Sequence, residues 1–238
     1  PEGFLLVNFL NNRRNTMGKE YLSCAETAKL VRAALKKKFP GVKFSVRSST
    51  YSMGASISIH WTLGPTTKEV DAEVGGFEAA SFDGMNDLQS NQESWLLPDG
   101  TAQLAYRPDS YGGSIPGFVS DAPHPEAKLV SFGADYIHSS RMLAETWQGE
   151  LKLREQVARD MCVLQHVAYT GESTTGLFGS GDSEQVDQHA WRLLSATSFA
   201  PGEVYAGLRY TKEDEDSGDA RIPMIILKQV PAAVTASR

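Results

Sequence analysis

The run CAETAKLVRAALKKK places Cys24, Ala28, Val31 and Leu35 one helical turn apart, so its apolar residues form a single stripe. Ser23 and Glu26 just ahead of it fit a capping box: the serine hydroxyl takes an orphan amide and the glutamate reaches back. Lys36, Lys37 and Lys38 sit in the last turn, where cations suit the helix dipole, and Pro40-Gly41 stops the helix. The period then changes to two. In KFSVRSS, Phe44 and Val46 point one way and Ser45 and Arg47 the other. In ASISIHWT, Ala55, Ile57, Ile59 and Trp61 share a face opposite Ser56, Ser58, His60 and Thr62. With Ser52-Met53-Gly54 between them, these runs predict a β-hairpin whose Ile59 and Trp61 face the core, against Val31 and Leu35. Gly64-Pro65 ends it. Thr66 and Glu69 frame a second capping box, and Val70, Val74 and Phe77 form a second stripe before Gly75-Gly76, which ends the helix or permits close packing. Residues 22–79 thus predict an α-β-β-α unit of the α+β class.

Beyond residue 80 the pattern weakens. Asp83 and Asp87 in SFDGMNDL would meet on one face if helical, whereas the Asp-Gly step marks a turn. The stretch from Pro98 to Pro125 is rich in Pro, Gly, Asp and Ser and predicts a long surface excursion, with Tyr106, Tyr111 and Phe118 as its contact points. KLVSFGADYIH predicts one strand around Gly133. A long central helix follows from about Ala144 to Ala168, with Leu153, Val157, Met161, Leu164 and Ala168 as its stripe and Trp147 and Leu151 as a pair beside it. TGESTTGLFGSGDSE is a Gly/Ser/Thr-rich connector. VYAGLRYT and RIPMIILKQV predict a C-terminal β-hairpin around an acidic turn, with Pro223 at an edge or bulge. Residues 17–141 therefore form an α+β domain. Residues 142–238 are a helix-plus-hairpin region, separate or packed with it as one domain.

Composition narrows the function. A net charge of −6 and a pI near 5.4 argue against a protein that coats nucleic acid. Cys24 and Cys162 lie far apart and form no CxxC pair, so a disulfide framework is not expected and a reducing cytoplasm is. Phe4–Leu10 is too short to span a bilayer, and its arginines follow rather than precede it, which makes it a poor secretory signal. The order Arg13-Arg14-Asn15-Thr16-Met17 has a further reading. An AGGAGG ribosome-binding run read in frame encodes Arg-Arg, and two codons of spacer then lead to the methionine. On that reading residues 1–16 are a translated leader, or else an N-terminal arm, and Met17 is the natural start.

Candidate chemistry is sparse. There is no GxxxxGK[ST] phosphate loop, no HExxH zinc helix and no GxSxG elbow, and the histidines show no ligand spacing. No catalytic residue, metal or cofactor is assigned. The polar face carrying Arg47 and His60 is either a binding surface or the wet side of a sheet. Asp214, Glu215 and Asp216, in the acidic turn from Glu213 to Asp219, either imitate phosphates or are simply solvated.

Several segments in order, EYLS, AETAKLVR, FPGVKFSVRS, WTLGPTT and SFDGM, followed by FGADYIHSSR, resemble the twenty-ninth large polyvalent protein-associated domain family from Met17 to about residue 141. The chain has His138 where a GADYIF-type ending is expected. The resemblance implies a module of phage and conjugative-plasmid proteins that accompany incoming DNA and blunt host defence. It implies no catalytic residues. The expectation is a cytoplasmic counter-defence protein in a bacterial host that binds a CRISPR effector or a restriction enzyme, with neither nucleic acid nor membrane as main ligand. The alternatives are an enzyme modifying a host factor or nucleotide, carried by Asp83, Asp87, His60 and Arg47, and a plasmid-maintenance protein holding DNA through Arg47 and Lys36 to Lys38.

Overall fold

A computed structural model describes residues 20–83, 87–108, 114–164, 186–210 and 223–230. The class is α+β, with an N-terminal α-β-β-α unit, a long central helix and a C-terminal β-hairpin. The chain divides into two compact units. Of the described residues, one unit takes in those through Pro40, Phe44–His60 and those from Lys68 to Ser140; the other takes in Gly41–Lys43, Trp61–Thr67 and those from Arg141 onward.

In the first unit, β1 (Glu20–Ser23) leads directly into α1 (Cys24–Lys38). The capping box forms: the Ser23 hydroxyl accepts from the Glu26 amide, and the Glu26 carboxylate accepts from the Ser23 amide at 2.9 Å. The stripe Cys24, Ala28, Val31 and Leu35 is buried. The hairpin is β2 (Ser45–Tyr51) with β3 (Gly54–Thr62), in the register Ser45 to His60, Val46 to Ile59 and Arg47 to Ser58. That register sends Val46, Ile57 and Ile59 inward, as the alternation predicts. After α2 (Thr67–Val74), a 3-10 turn at Gly75–Phe77 ends the helix, and a Cβ on Gly76 would lie 2.0 Å from the Ala102 carbonyl oxygen. Gly75-Gly76 therefore does both things expected of it: it stops the helix and admits a neighbouring backbone.

The segment expected to be irregular carries short strands. β4 (Ala80–Asp83) pairs with β5 (Leu88–Asn91), and β6 (Ser94–Leu96) with β7 (Ala102–Leu104). β8 (Tyr106–Pro108) pairs with β9 (Ser114–Val119). The run around Gly133 is two strands, β10 (Lys128–Gly133) and β11 (Tyr136–Met142), which join different sheets on either side of Ala134-Asp135. The sheets read β1-β10-β6-β7 and β11-β3-β2, with β1 parallel to β10. Phe77 and Phe132, with ring centroids 5.2 Å apart, lie in the core of this unit.

The LPDG turn between β6 and β7 makes a checkable electrostatic feature. Asp99 accepts from the Thr101 hydroxyl at 2.6 Å and the Thr101 amide at 3.0 Å, and Lys37 lies 3.2 Å away. The Thr101 bonds first, and Lys37 after them, hold the Asp99 carboxyl down at about 2. The folded value lies below the unfolded one, 3.8, so the contribution to stability is present above 3.8 and is lost as pH falls through about 2. Because the carboxylate is exposed, that contribution is small. We expect an NMR titration of Asp99 to give a midpoint near 2. Thr101→Val should raise it, and Lys37→Met should raise it less. An Asp99 midpoint at the ordinary carboxylate value would refute the assignment.

In the second unit, α3 (Trp147–Leu164) and α4 (Val186–Ser195) pack together, with β12 (Glu203–Tyr210) on α3 and β13 (Pro223–Gln229) on α4. Val157, Met161, Val186, Ala190, Leu194, Phe199 and Ile225 are the core. Of the stripe expected on α3, Val157 and Met161 are buried and Leu153 packs beside them, while Trp147 and Leu151 face solvent. β12 and β13 are antiparallel with a bulge between Tyr205 and Gly207, and Pro223 opens β13 opposite Tyr210. Trp61 also belongs to this unit; it is buried, and its indole donates to the Pro65 carbonyl at 2.9 Å. Among the described residues no helix is long and apolar enough to cross a membrane.

Candidate functional site

A cleft of about 510 Å³ opens in the first unit where segments distant in sequence meet. Its first wall is the β1 to α1 junction. Tyr21 stands opposite Ser131 and Ser23 opposite Gly133 in the parallel pairing with β10. A Cβ on Gly133 would come within 2.7 Å of both the Cys24 amide and the Tyr21 hydroxyl. The strand can pass beneath this helix N-terminus only as glycine.

The second wall is the tip of the β2–β3 hairpin, and Asp135 ties it down. The Asp135 amide donates to the Ala55 carbonyl at 2.8 Å, and its Oδ2 accepts from the Ala55 amide at 2.9 Å. Gly54 makes room for this clasp: a Cβ there would stand 2.3 Å from Asp135 Oδ2 and 3.0 Å from the Tyr51 ring. Tyr51 and the Asp135 carboxylate thus converge on one glycine. Thr50 and Asn91 complete the polar rim. Asp135 is the one charged side chain among the described lining residues, and the tyrosines are open to solvent, Tyr21 67% and Tyr51 50% exposed.

Cys24 also lines the cleft. Its thiol donates to the Ser56 carbonyl at 3.6 Å, and burial, with a further push from the Asp135 carboxylate, raises its pKa. A thiol raised in this way is protonated near neutrality and packs rather than attacks. The arrangement offers aromatic faces, a carboxylate and hydroxyls, which is recognition chemistry.

The residues singled out in the sequence lie elsewhere. Arg47 and His60 share the outer face of the β2–β3 hairpin, since their cross-strand partners are Ser58 and Ser45, and both are exposed. β11 carries Tyr136 and His138, whose rings stack at 6.3 Å. None of these lines the cleft. Asp83 closes β4 opposite Leu88, and Asp87, with φ of 52°, leads into β5, so this segment is a hairpin and not a helix. Lys37 of the lysine run is engaged by Asp99. Tyr106 and Phe118 sit on the paired strands β8 and β9, and their side chains lie outside the described residues. Tyr111, Asp214, Glu215, Asp216, Ala168 and the segment around Met17 also lie outside them. Among the described residues no group of three or more His, Cys, Asp and Glu is placed to hold a metal ion.

Sequence reasoning missed Tyr21, Tyr51 and Asp135. Two signals were present: glycine at 54 opening an alternating strand, and Gly133-Ala134-Asp135 interrupting another. The family model described as large polyvalent protein associated domain 29 matches residues 22–144, which include every residue lining the cleft except Tyr21. Among curated proteins and solved structures none matches the chain.

Proposed function

Since the chain belongs to the large polyvalent protein associated domain 29 family, we propose that it is a counter-defence protein that inhibits a host CRISPR effector or restriction enzyme by binding it. Domains of this kind occur in polyvalent proteins of mobile elements. The observation that carries the reading is the cleft itself. It presents exposed tyrosines and the Asp135 carboxylate, and the Cys24 thiol in it has a raised pKa. Tyrosine is a frequent anchor of protein interfaces, because it contributes apolar area and a hydrogen bond at low entropic cost. A net charge of −6 favours encounter with the basic surfaces of nucleic-acid-handling complexes.

The test is inhibition of a purified effector at known molar ratios. Activity should vanish when about one molecule of the protein is present per binding site, and it should return when the complex is dissociated. Silencing far below equimolar amounts, or damage that persists after the protein is removed, would identify an enzyme and reject stoichiometric binding.

A further inference from the structure

We propose that the Asp135 cleft receives the guanidinium of an arginine side chain presented by a protein partner; this rests on the reading that the protein acts by binding protein. The chemistry of the cleft favours a planar cation. Asp135 uses Oδ2 for the Ala55 amide, and its Oδ1 accepts no hydrogen bond among the described residues. One carboxylate oxygen is therefore held in place with its acceptor capacity open, in a cleft that no basic side chain lines among the described residues. Tyr51 and Tyr21 line the same cleft and are exposed to solvent.

Guanidinium satisfies all of these groups together. It donates to a carboxylate in a fixed plane, stacks on aromatic faces and is weakly hydrated. An ammonium would meet the carboxylate as a point charge but would use the ring faces less well. A phosphate or nucleotide would bring its negative charge against Asp135, which a like charge disfavours. The glycines bear on the same point. At Gly54 a Cβ would collide with Asp135 Oδ2, and at Gly133 with the Cys24 amide and the Tyr21 hydroxyl, so the carboxylate and the tyrosine keep these positions only while both residues are glycine. The clasp on Ala55 fixes the hairpin tip, so the acceptor is already oriented before a partner arrives.

The probe is N-acetyl-L-arginine amide, added to the full chain and followed by NMR at the amides of Gly54, Ala55 and Asp135 and at the tyrosine rings. Saturable shifts confined to these positions are expected, at roughly millimolar concentration for so small a ligand. Asp135→Asn keeps an oxygen for the Ala55 amide and removes the charge; it should weaken binding about 10-fold or more. Tyr21→Ala, at a site two-thirds exposed, should weaken binding without disturbing the fold. The neutral isostere N-acetyl-L-citrulline amide should shift nothing. Equal binding of arginine and citrulline probes, unchanged binding by Asp135→Asn, or no shifts at all would overturn the proposal, and binding of a nucleoside monophosphate at the same amides would assign the cleft to another ligand. The two readings fail separately. An arginine probe that binds while no effector is inhibited rejects the inhibitory function alone. An effector inhibited equally well by Asp135→Asn and by the parent rejects the cleft alone.

Discussion

Replacing Trp61 by alanine is expected to destabilise the protein by about 3 to 5 kcal/mol, as removal of a large buried aromatic does when the site cannot collapse. Trp61 is only 3% exposed, and its indole nitrogen donates to the carbonyl of Pro65, itself buried, at 2.9 Å. Alanine removes the ring and also orphans that carbonyl. The neighbourhood is already tight: a Cβ on Gly64 would lie 3.5 Å from the Trp61 ring and 3.1 Å from Val42. Trp61→Phe keeps most of the volume and loses the hydrogen bond, so it should cost about 1 to 3 kcal/mol. Urea denaturation at constant m-value separates the two terms. Stability of Trp61→Ala within error of the parent would mean that the side chain carries no packing load in solution, and its role would have to be sought at a surface instead.

The same tryptophan shows what the sequence makes legible. Period two over ASISIHWT is a local property, and it assigns Ile57, Ile59 and Trp61 to the buried face. The α1 stripe and its capping box are local too, and both form as written. What Trp61 packs with is not local. Along β3 the unit boundary falls after His60, so Ile59 belongs to the first unit with Val31 and Leu35, and Trp61 to the second. β6, β7 and β8 are three residues each, too short to show a period, and so the segment reads as an excursion. α4 carries Val186, Ala190 and Leu194 at helical spacing, but it follows a Gly/Ser/Thr-rich run that draws attention to the connector. The cleft was least legible of all. Tyr21, Tyr51 and Asp135 come from segments far apart in sequence that only tertiary pairing brings together, and the segments EYLS and FGADYIHSSR that hold two of them name a family without naming a chemistry. Glycine was the available clue, because Gly54 and Gly133 mark where one backbone must approach another.

The second large effect is expected at Arg141, whose guanidinium organises the Leu63-Gly64 turn. Leu63 has φ of 55° and Gly64 φ of 70°, consecutive left-handed residues of which only the glycine adopts that conformation freely. Arg141 holds both of their carbonyls, from Nε to Leu63 at 3.2 Å and from Nη2 to Gly64 at 3.1 Å. It also reaches the end of α4, donating to the Ser195 carbonyl at 3.3 Å and the Thr197 carbonyl at 2.7 Å, and it lies 5.4 Å from the centre of the Phe199 ring. One planar fork thus satisfies four carbonyls across a turn and a helix end, a geometry that a lysine ammonium cannot reproduce. Arg141→Met keeps much of the apolar stem and removes the guanidinium from all four acceptors, of which Gly64 keeps a second donor in the Phe199 amide. Because these bonds act as a unit, their costs do not add, and a loss of about 3 to 5 kcal/mol is expected. Arg141→Lys should recover only part of it. Hydrogen exchange localises the effect: the Leu63 amide, bonded to the Met142 carbonyl at 2.7 Å, and the Phe199 amide, bonded to Gly64 at 2.8 Å, should lose protection first in Arg141→Met. Protection at both amides equal to the parent, with stability unchanged, would show that the left-handed turn stands without the arginine and that backbone and packing alone hold it.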